Sequence, residues 1–179
     1  MPGSKAFQNK GNPPQKIILY AIAVTIIILT VYYLPNYFLL EKATADHAAW
    51  LLNLLGVPVE VNVISGSAFL ANIRIVKDCT GVQVMAVFLG LLIPLPYASW
   101  RMKLLTLATV IASVYVANVL RIALEFWLVY YNILPWNLAH YPLSLLLGIV
   151  GVAVLVLATD RLLPEFGNFL LNAIRPRAT

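Results

Sequence analysis

Long apolar runs separated by short polar connections dominate this chain. The first run, Ile17–Leu40, is longer than the stretch of about 20 residues that crosses a bilayer. Three more runs follow, at Cys79–Tyr97, Leu104–Tyr131 and Pro142–Thr159. The pattern predicts an all-α integral membrane protein with about four transmembrane helices.

Residues 41–78, between the first two runs, form the longest connection. Thr44 and Gly56 suit the start and the end of a short helix. An apolar face on that helix is typical of a helix lying at the membrane surface. It comprises Trp50, Leu51, Leu54 and Leu55.

A second element is predicted in the same connection. Val59–Val63 alternates apolar and polar residues, Ser65–Ser67 has turn composition, and Phe69–Val76 can form the returning strand. This pattern predicts a small β-hairpin after the interfacial helix.

The composition narrows the class of protein. Apolar residues make up 61% and charged residues 11%, against about 25% charge in soluble proteins. The net charge of +5 does not indicate nucleic-acid binding, because the basic residues lie at segment ends instead of forming a patch. One Cys and two His exclude a disulfide framework or a zinc site with several Cys and His ligands. We expect no cofactor and no metal.

The basic residues predict the orientation in the plasma membrane. With the N-terminus inside, eight fall on the cytoplasmic side and three outside. The tails 1–16 and 160–179 are then cytoplasmic and flank one transmembrane domain, residues 17–159, with the exterior segment 41–78. Ser99–Lys103 is predicted as a tight inner loop and Asn132–Tyr141 as an outer loop. The inner set is Lys5, Lys10, Lys16, Arg101, Lys103, Arg161, Arg175 and Arg177, and the outer set is Lys42, Arg74 and Lys77.

Arg121 lies within the third run, where a charge costs several kcal/mol and usually has a function. It is about 25 Å of helix beyond Leu104, which places it near the exterior boundary. Glu125 and Asn118 share its helix face. The alternative interpretation is that Arg121 and Glu125 only neutralise each other.

Cys79 opens the second run. If Asp78 caps that helix, the N–H groups of its first turn favour a thiolate at Cys79, with Gln83 one turn deeper on the same face. The alternative is a small packing residue.

His140 precedes the fourth run, where a helix N-terminus favours the neutral imidazole that a general base needs. Ser144, four residues on, is placed to orient it. His47, in the exterior segment, is interpreted as a solvated polar residue without a catalytic role.

Three helices thus bring Cys79, Arg121 and His140 to one depth on one side. A nucleophile, a cation and a base are what covalent acyl transfer requires. The blocks Asp78–Gln83 and Asn118–Arg121, followed by His140, resemble the exosortase/archaeosortase family over about Val76–Leu147, and the short chain resembles a compact member of it.

This resemblance implies a membrane cysteine transpeptidase or protease whose active site faces the exterior. Cys79 would form a thioester, His140 would serve as general base or acid, and Arg121 would stabilise the thiolate or the oxyanion. Gln83, Asn118, Glu125 and Ser144 would support the site or bind substrate. The substrates would be secreted proteins with a C-terminal motif, a transmembrane span and a basic tail, transferred to a membrane lipid or another surface acceptor.

Two rival functions remain open. One is a non-catalytic membrane subunit or small transporter in which Arg121 and Glu125 form a structural pair. It would need a polar path to the cytoplasm, yet the inner halves of the runs are almost purely apolar. The other is a cysteine protease that only hydrolyses, since hydrolysis and transfer share the acyl-enzyme.

Overall fold

Seven α-helices and a three-stranded sheet follow one another in the computed structural model, which describes residues 14–174. In chain order the elements are α1 (Pro14–Tyr33), α2 (Phe38–Leu54), β1 (Val61–Ile64), β2 (Ser67–Leu70), β3 (Ile73–Ile75), a 3₁₀ turn (Lys77–Thr80), α3 (Val82–Leu92), α4 (Trp100–Tyr130), α5 (Trp136–Leu138), a π turn (Ala139–Leu143), α6 (Ser144–Leu162) and α7 (Pro164–Ile174). The predictions for residues 1–13 and 175–179 lie outside the described residues.

Three helical segments of the described chain are long and apolar enough to cross a membrane. They are Gln15–Tyr33, Trp100–Tyr130 and Trp136–Leu162. Their large apolar side chains are exposed along much of their length, as on Ile22, Ile26, Leu146 and Ile149. The prediction of an all-α membrane protein is confirmed.

The second apolar run does not form the continuous helix that the sequence predicts. Gly81 adopts a positive φ of 77° and separates the 3₁₀ turn from α3. The helix then ends at Leu92, just before Pro94. At 11 residues, or about 16 Å, α3 alone is shorter than the apolar core of a bilayer.

The whole segment 78–97 nevertheless runs beside α1 in the opposite direction. Tyr32 at one end of α1 donates a hydrogen bond to Asp78 (2.6 Å), and Lys16 at the other end contacts the Tyr97 hydroxyl (3.3 Å). The segment therefore covers the same distance as about 16 helical residues, roughly 24 Å. The count of four spans stays a prediction.

The first predicted run is also divided. α1 ends at Tyr33, and α2 begins at Phe38. Pro35 lies between them and disfavours the helical conformation of the residue before it. Thr44 is therefore inside α2, where its hydroxyl bonds the Leu40 carbonyl (2.8 Å), and does not cap a helix as predicted. Gly56 follows the helix with a φ of 81°, as predicted for its end.

α2 buries a face of small residues against the sheet and α4, while Trp50, Leu54 and Leu55 stay exposed. Leu51, predicted on the exposed face, packs against the buried cluster instead. The buried α2 residues are Thr44, Ala45, Ala48, Ala49 and Leu52. α2 is thus tied to the bundle and still presents an apolar outer face.

The predicted hairpin forms, with a third strand added. β1 pairs with β2, and β2 with β3, all antiparallel. The predicted returning strand Phe69–Val76 is interrupted at Ala71, whose φ of 51° makes a second tight turn. Leu70 and Ile75 on the two halves are both buried against α2 and α4.

The ends of α4 and the last span also differ from the predictions. Ser99 accepts a hydrogen bond from the Met102 N–H (3.4 Å) and caps α4, so most of the predicted basic loop Ser99–Lys103 is the first turn of that helix. The third of the long apolar helical segments begins at Trp136, so more than half of the predicted outer loop Asn132–Tyr141 is helical. Pro142 lies inside the π turn and does not start the helix.

Candidate functional site

Three polar residues of α4 lie on one face near the C-terminal end of the helix. Asn118 and Glu125 are only 9% and 2% exposed, and the Arg121 side chain is 19% exposed. Spacings of three and four residues place the three on one helix face, as the sequence predicts. Buried groups of this kind need hydrogen-bond partners, and each of these three has them.

Arg121 connects its own helix to α6. Its Nη1 donates to Glu125 Oε1 (3.0 Å) and to Ser144 Oγ (2.7 Å). Its Nε and Nη2 both donate to Asn118 Oδ1 (3.3 and 3.1 Å). A guanidinium has five N–H donors, so four are engaged by described residues and one N–H on Nη2 remains.

Glu125 is the acceptor on which three side chains converge. Oε1 accepts from Arg121 and from the Ser144 hydroxyl, while Oε2 lies 3.0 Å from His140 Nδ1. Ser144 was predicted to orient His140, but the structure shows a different arrangement. Ser144 bonds Glu125 and Arg121, and Glu125 contacts the imidazole.

Cys79 joins this network through its backbone. The Asn118 Nδ2 donates to the Cys79 carbonyl, while the Asn118 Oδ1 accepts from Arg121. The Cys79 side chain is partly buried and packs against the apolar cluster of α2, the sheet and α4. One amide side chain therefore links the position of Cys79 to that of Arg121.

The local structure around Cys79 differs from the sequence prediction. Cys79 lies in the 3₁₀ turn, and its N–H already donates to the Val76 carbonyl (2.8 Å). Asp78 does not cap a helix within the described residues; its Oδ1 accepts from Tyr32 (2.6 Å) and Gln83 (3.0 Å). A four-residue turn also lacks the dipole of a long helix. The expected helix-terminal stabilisation of a Cys79 thiolate therefore has no basis in this fold.

Trp136 is a site residue that sequence reasoning missed. Its ring stacks on His140 with centroids 4.9 Å apart and planes 10° apart, and Phe126 contacts the Trp136 ring edge-on. Trp136 and His140 are four residues apart, a spacing that brings side chains together on a helix. This spacing was not used in the prediction because a loop was predicted there, and residues four apart in a loop need not meet.

His47 lies on the surface of the molecule, away from the Arg121–Glu125–His140 network. It is exposed on α2, and its Nδ1 lies 2.6 Å from the Tyr115 hydroxyl. No contact with the Arg121–Glu125–His140 network is present among the described residues. The described residues also contain no group of three or more His, Cys, Asp or Glu side chains able to hold a metal ion.

The fold and the site together define a membrane-embedded protein with a partly buried Arg–Glu–His network that Asn118 links to the backbone of a cysteine. A model of the transmembrane exosortase family matches residues 10–159. The chain belongs to that family, as the sequence blocks predicted, and its members are membrane transpeptidases that sort secreted proteins. No curated protein and no solved structure matches the chain.

Proposed function

We propose that this protein is a cysteine transpeptidase of the plasma membrane that cleaves the C-terminal sorting signal of secreted proteins. The observation that supports it is the continuous hydrogen-bond path from the Cys79 carbonyl through Asn118, Arg121 and Glu125 to His140. This path links the backbone of the proposed nucleophile to the proposed cation and base, and the three residues come from three segments.

In the first half-reaction Cys79 Sγ attacks the carbonyl carbon of the scissile peptide bond. His140 takes the thiol proton, and the tetrahedral intermediate carries a negative oxygen. When the C–N bond breaks, His140 returns the proton to the leaving amine. The secreted protein stays attached to Cys79 as a thioester.

In the second half-reaction an acceptor nucleophile attacks the thioester carbonyl. His140 takes the acceptor's proton and passes it to the sulfur, which leaves as the C–S bond breaks. A membrane lipid or another surface amine or hydroxyl gives transfer, while water gives hydrolysis. Both outcomes use the same acyl-enzyme.

In this proposal Arg121 stabilises charge during these steps. Its remaining Nη2–H would donate to the oxyanion or to the thiolate, while the other four donors hold the guanidinium in place. A fixed donor stabilises developing charge without reorganising, which is the main source of this kind of catalysis.

The rival interpretation treats Arg121 and Glu125 as a structural pair, and their 3.0 Å contact is consistent with it. The further bonds of Arg121 to Asn118 and of Glu125 to His140 favour catalysis, because neutralising a charge needs neither of them.

The substrate follows from the location of the site. We propose that the site faces the exterior, so that a secreted protein still held by a C-terminal span presents its motif to Cys79. A basic tail after that span would stay in the cytoplasm, in keeping with the positive-inside distribution.

Replacing Cys79 tests this function. Cys79→Ala removes the nucleophile, so signal cleavage of a co-expressed candidate substrate should disappear while the protein still folds and inserts. Cys79→Ser should be almost inactive as well, since a hydroxyl is a much weaker nucleophile at neutral pH. Cleavage is measured by gel mobility and normalised to folded protein. Normal cleavage by Cys79→Ala would make Cys79 a packing residue and would overturn the proposal.

A further inference from the structure

The geometry points to Glu125 as a positioning residue that holds His140 in the Nδ1–H tautomer. From the sequence, Glu125 is expected to pair with Arg121 and to support the site, without a stated contact to His140. The structure places its second oxygen 3.0 Å from the imidazole Nδ1. The tautomer itself does not depend on the reaction. Its catalytic consequence rests on the proposed function.

Counting donors and acceptors on the carboxylate leads to this tautomer. Oε1 accepts from both Arg121 and Ser144, as an ionised carboxylate does. Oε2 has His140 Nδ1 as its partner among the described residues. A carboxylate cannot donate, so Nδ1 must carry the proton, and Nε2 is then the nitrogen with the lone pair.

Two neighbours fix the imidazole of His140, one its ring plane and the other its orientation within that plane. Stacking on Trp136 fixes the ring plane. Stacking alone would allow the ring to turn over, because a flipped ring lies in the same plane. The bond to Glu125 selects which nitrogen faces inward.

Burial makes the carboxylate hard to replace. Glu125 is 2% exposed, so bulk water cannot substitute for it at Nδ1. Its charge is tolerated there because Arg121 and Ser144 bond the other oxygen. A general base with Nε2 available therefore depends on Arg121, Glu125 and Trp136 together.

Nitrogen NMR tests the tautomer without any substrate. The chain contains only two histidines, so ¹⁵N-histidine-labelled protein with His47→Gln gives signals from His140 alone. At about pH 9, above the usual titration range of imidazole, we expect one Nδ1–H tautomer. Glu125→Gln should give a mixture, because an amide can accept from Nδ1 or donate to it. Glu41→Gln, in the first turn of α2, is the control and should leave the spectrum unchanged.

Glu125→Gln leaves Arg121 without its carboxylate and can impair folding. The double variant Arg121→Gln with Glu125→Gln avoids a lone buried charge, and the same mixture is expected from it. A single Nδ1–H tautomer in both variants would overturn the inference, since another group would then select the tautomer.

Turnover tests the catalytic consequence. In folded Glu125→Gln the kcat for signal cleavage should fall about 10²-fold with little change in KM, because part of His140 is then in the wrong tautomer and its protonated form has lost the carboxylate that stabilises it. If His140→Ala cleaves normally, the proposed function fails while the tautomer result stands. If His140→Ala is inactive and Glu125→Gln has the wild-type kcat, the positioning role is wrong.

Discussion

Arg121 shows how much of the site one residue reveals. A charge inside an apolar helix is costly, and its neighbours at three and four residues can be read directly from the sequence as Asn118 and Glu125. The structure brings all three together, as predicted. The partners on other segments could not be read in this way, because the Glu125–His140 contact depends on how α4 packs against the π turn before α6.

The two histidines offer a matched comparison at the residue scale. His140→Ala should lower the rate of signal cleavage by about 10²–10⁴-fold, the usual contribution of general acid–base catalysis. His47→Ala should have a mild effect, since His47 is exposed on α2 and bonds Tyr115 outside the network.

Both rates are measured in membranes and normalised to folded enzyme. Similar losses in the two variants would show that His140 has no special role. Wild-type activity in His140→Ala would remove the base from the mechanism.

At the scale of elements, the start of α3 is where the sequence was most misleading. Cys79–Tyr97 is apolar enough to predict one continuous helix. Gly81 instead adopts a φ of 77° between the 3₁₀ turn and α3. Hydropathy does not report backbone conformation, so a lone glycine inside an apolar run gave no reason to divide it. The turn is what brings the Cys79 carbonyl to Asn118.

Gly81→Ala tests the importance of that turn. A Cβ at position 81 would lie 3.0 Å from Val114 Cγ1 and 3.5 Å from Asn118 Cβ. Besides a strain of roughly 1–2 kcal/mol at positive φ, the methyl group should push the Cys79 turn away from α4. Because small displacements of catalytic groups are costly, cleavage should fall about ten- to a hundredfold.

Gly66→Ala is the control for strain. Gly66 has a similar φ of 73° in the β1–β2 turn, and a Cβ there would meet no described atom within 4 Å. Both variants should melt at a lower temperature, but only Gly81→Ala should lose most of its activity. Equal activity in the two variants would show that the turn does not position Cys79.

For other elements the type was predicted correctly, but the first and last residues were not. The helix before Gly56, the turn at Ser65–Ser67 and the long third apolar helix are all present. The observed boundaries differ from the predicted ones where a single residue sets the boundary. Pro35 follows the end of α1, Ser99 caps α4, and Ala71 makes a second turn. The π turn around His140 was not predictable, because it includes Pro142, which the sequence indicated as a helix start.

At the scale of the whole molecule, the polar side chains discussed above lie at the two ends of the helix bundle. Asp78, Arg121 and His140 lie at one end of the bundle, while Lys16 and Tyr97 meet at the other. This separation fits the orientation expected from the positive-inside rule, with the candidate site outside.

Thiol labelling tests this orientation. Cys79→Ala removes the only cysteine of the chain, so single cysteines can be introduced at the exposed positions Asn137 and Arg101. In intact cells an impermeant reagent should label Asn137→Cys and leave Arg101→Cys protected until the membrane is opened. The reverse pattern would place the site in the cytoplasm, where a secreted substrate could not reach it.

The most direct measurement of the central claim is the capture of the acyl-enzyme. Membranes containing the protein are mixed with a candidate sorting-signal substrate, quenched in acid and analysed by mass spectrometry. We expect a peptide containing Cys79 that carries the substrate fragment upstream of the cleaved bond. The adduct should be released by hydroxylamine, as a thioester is, and should be absent in Cys79→Ala. Cleaved substrate without any adduct on Cys79, or cleavage that persists in Cys79→Ala, would contradict the account.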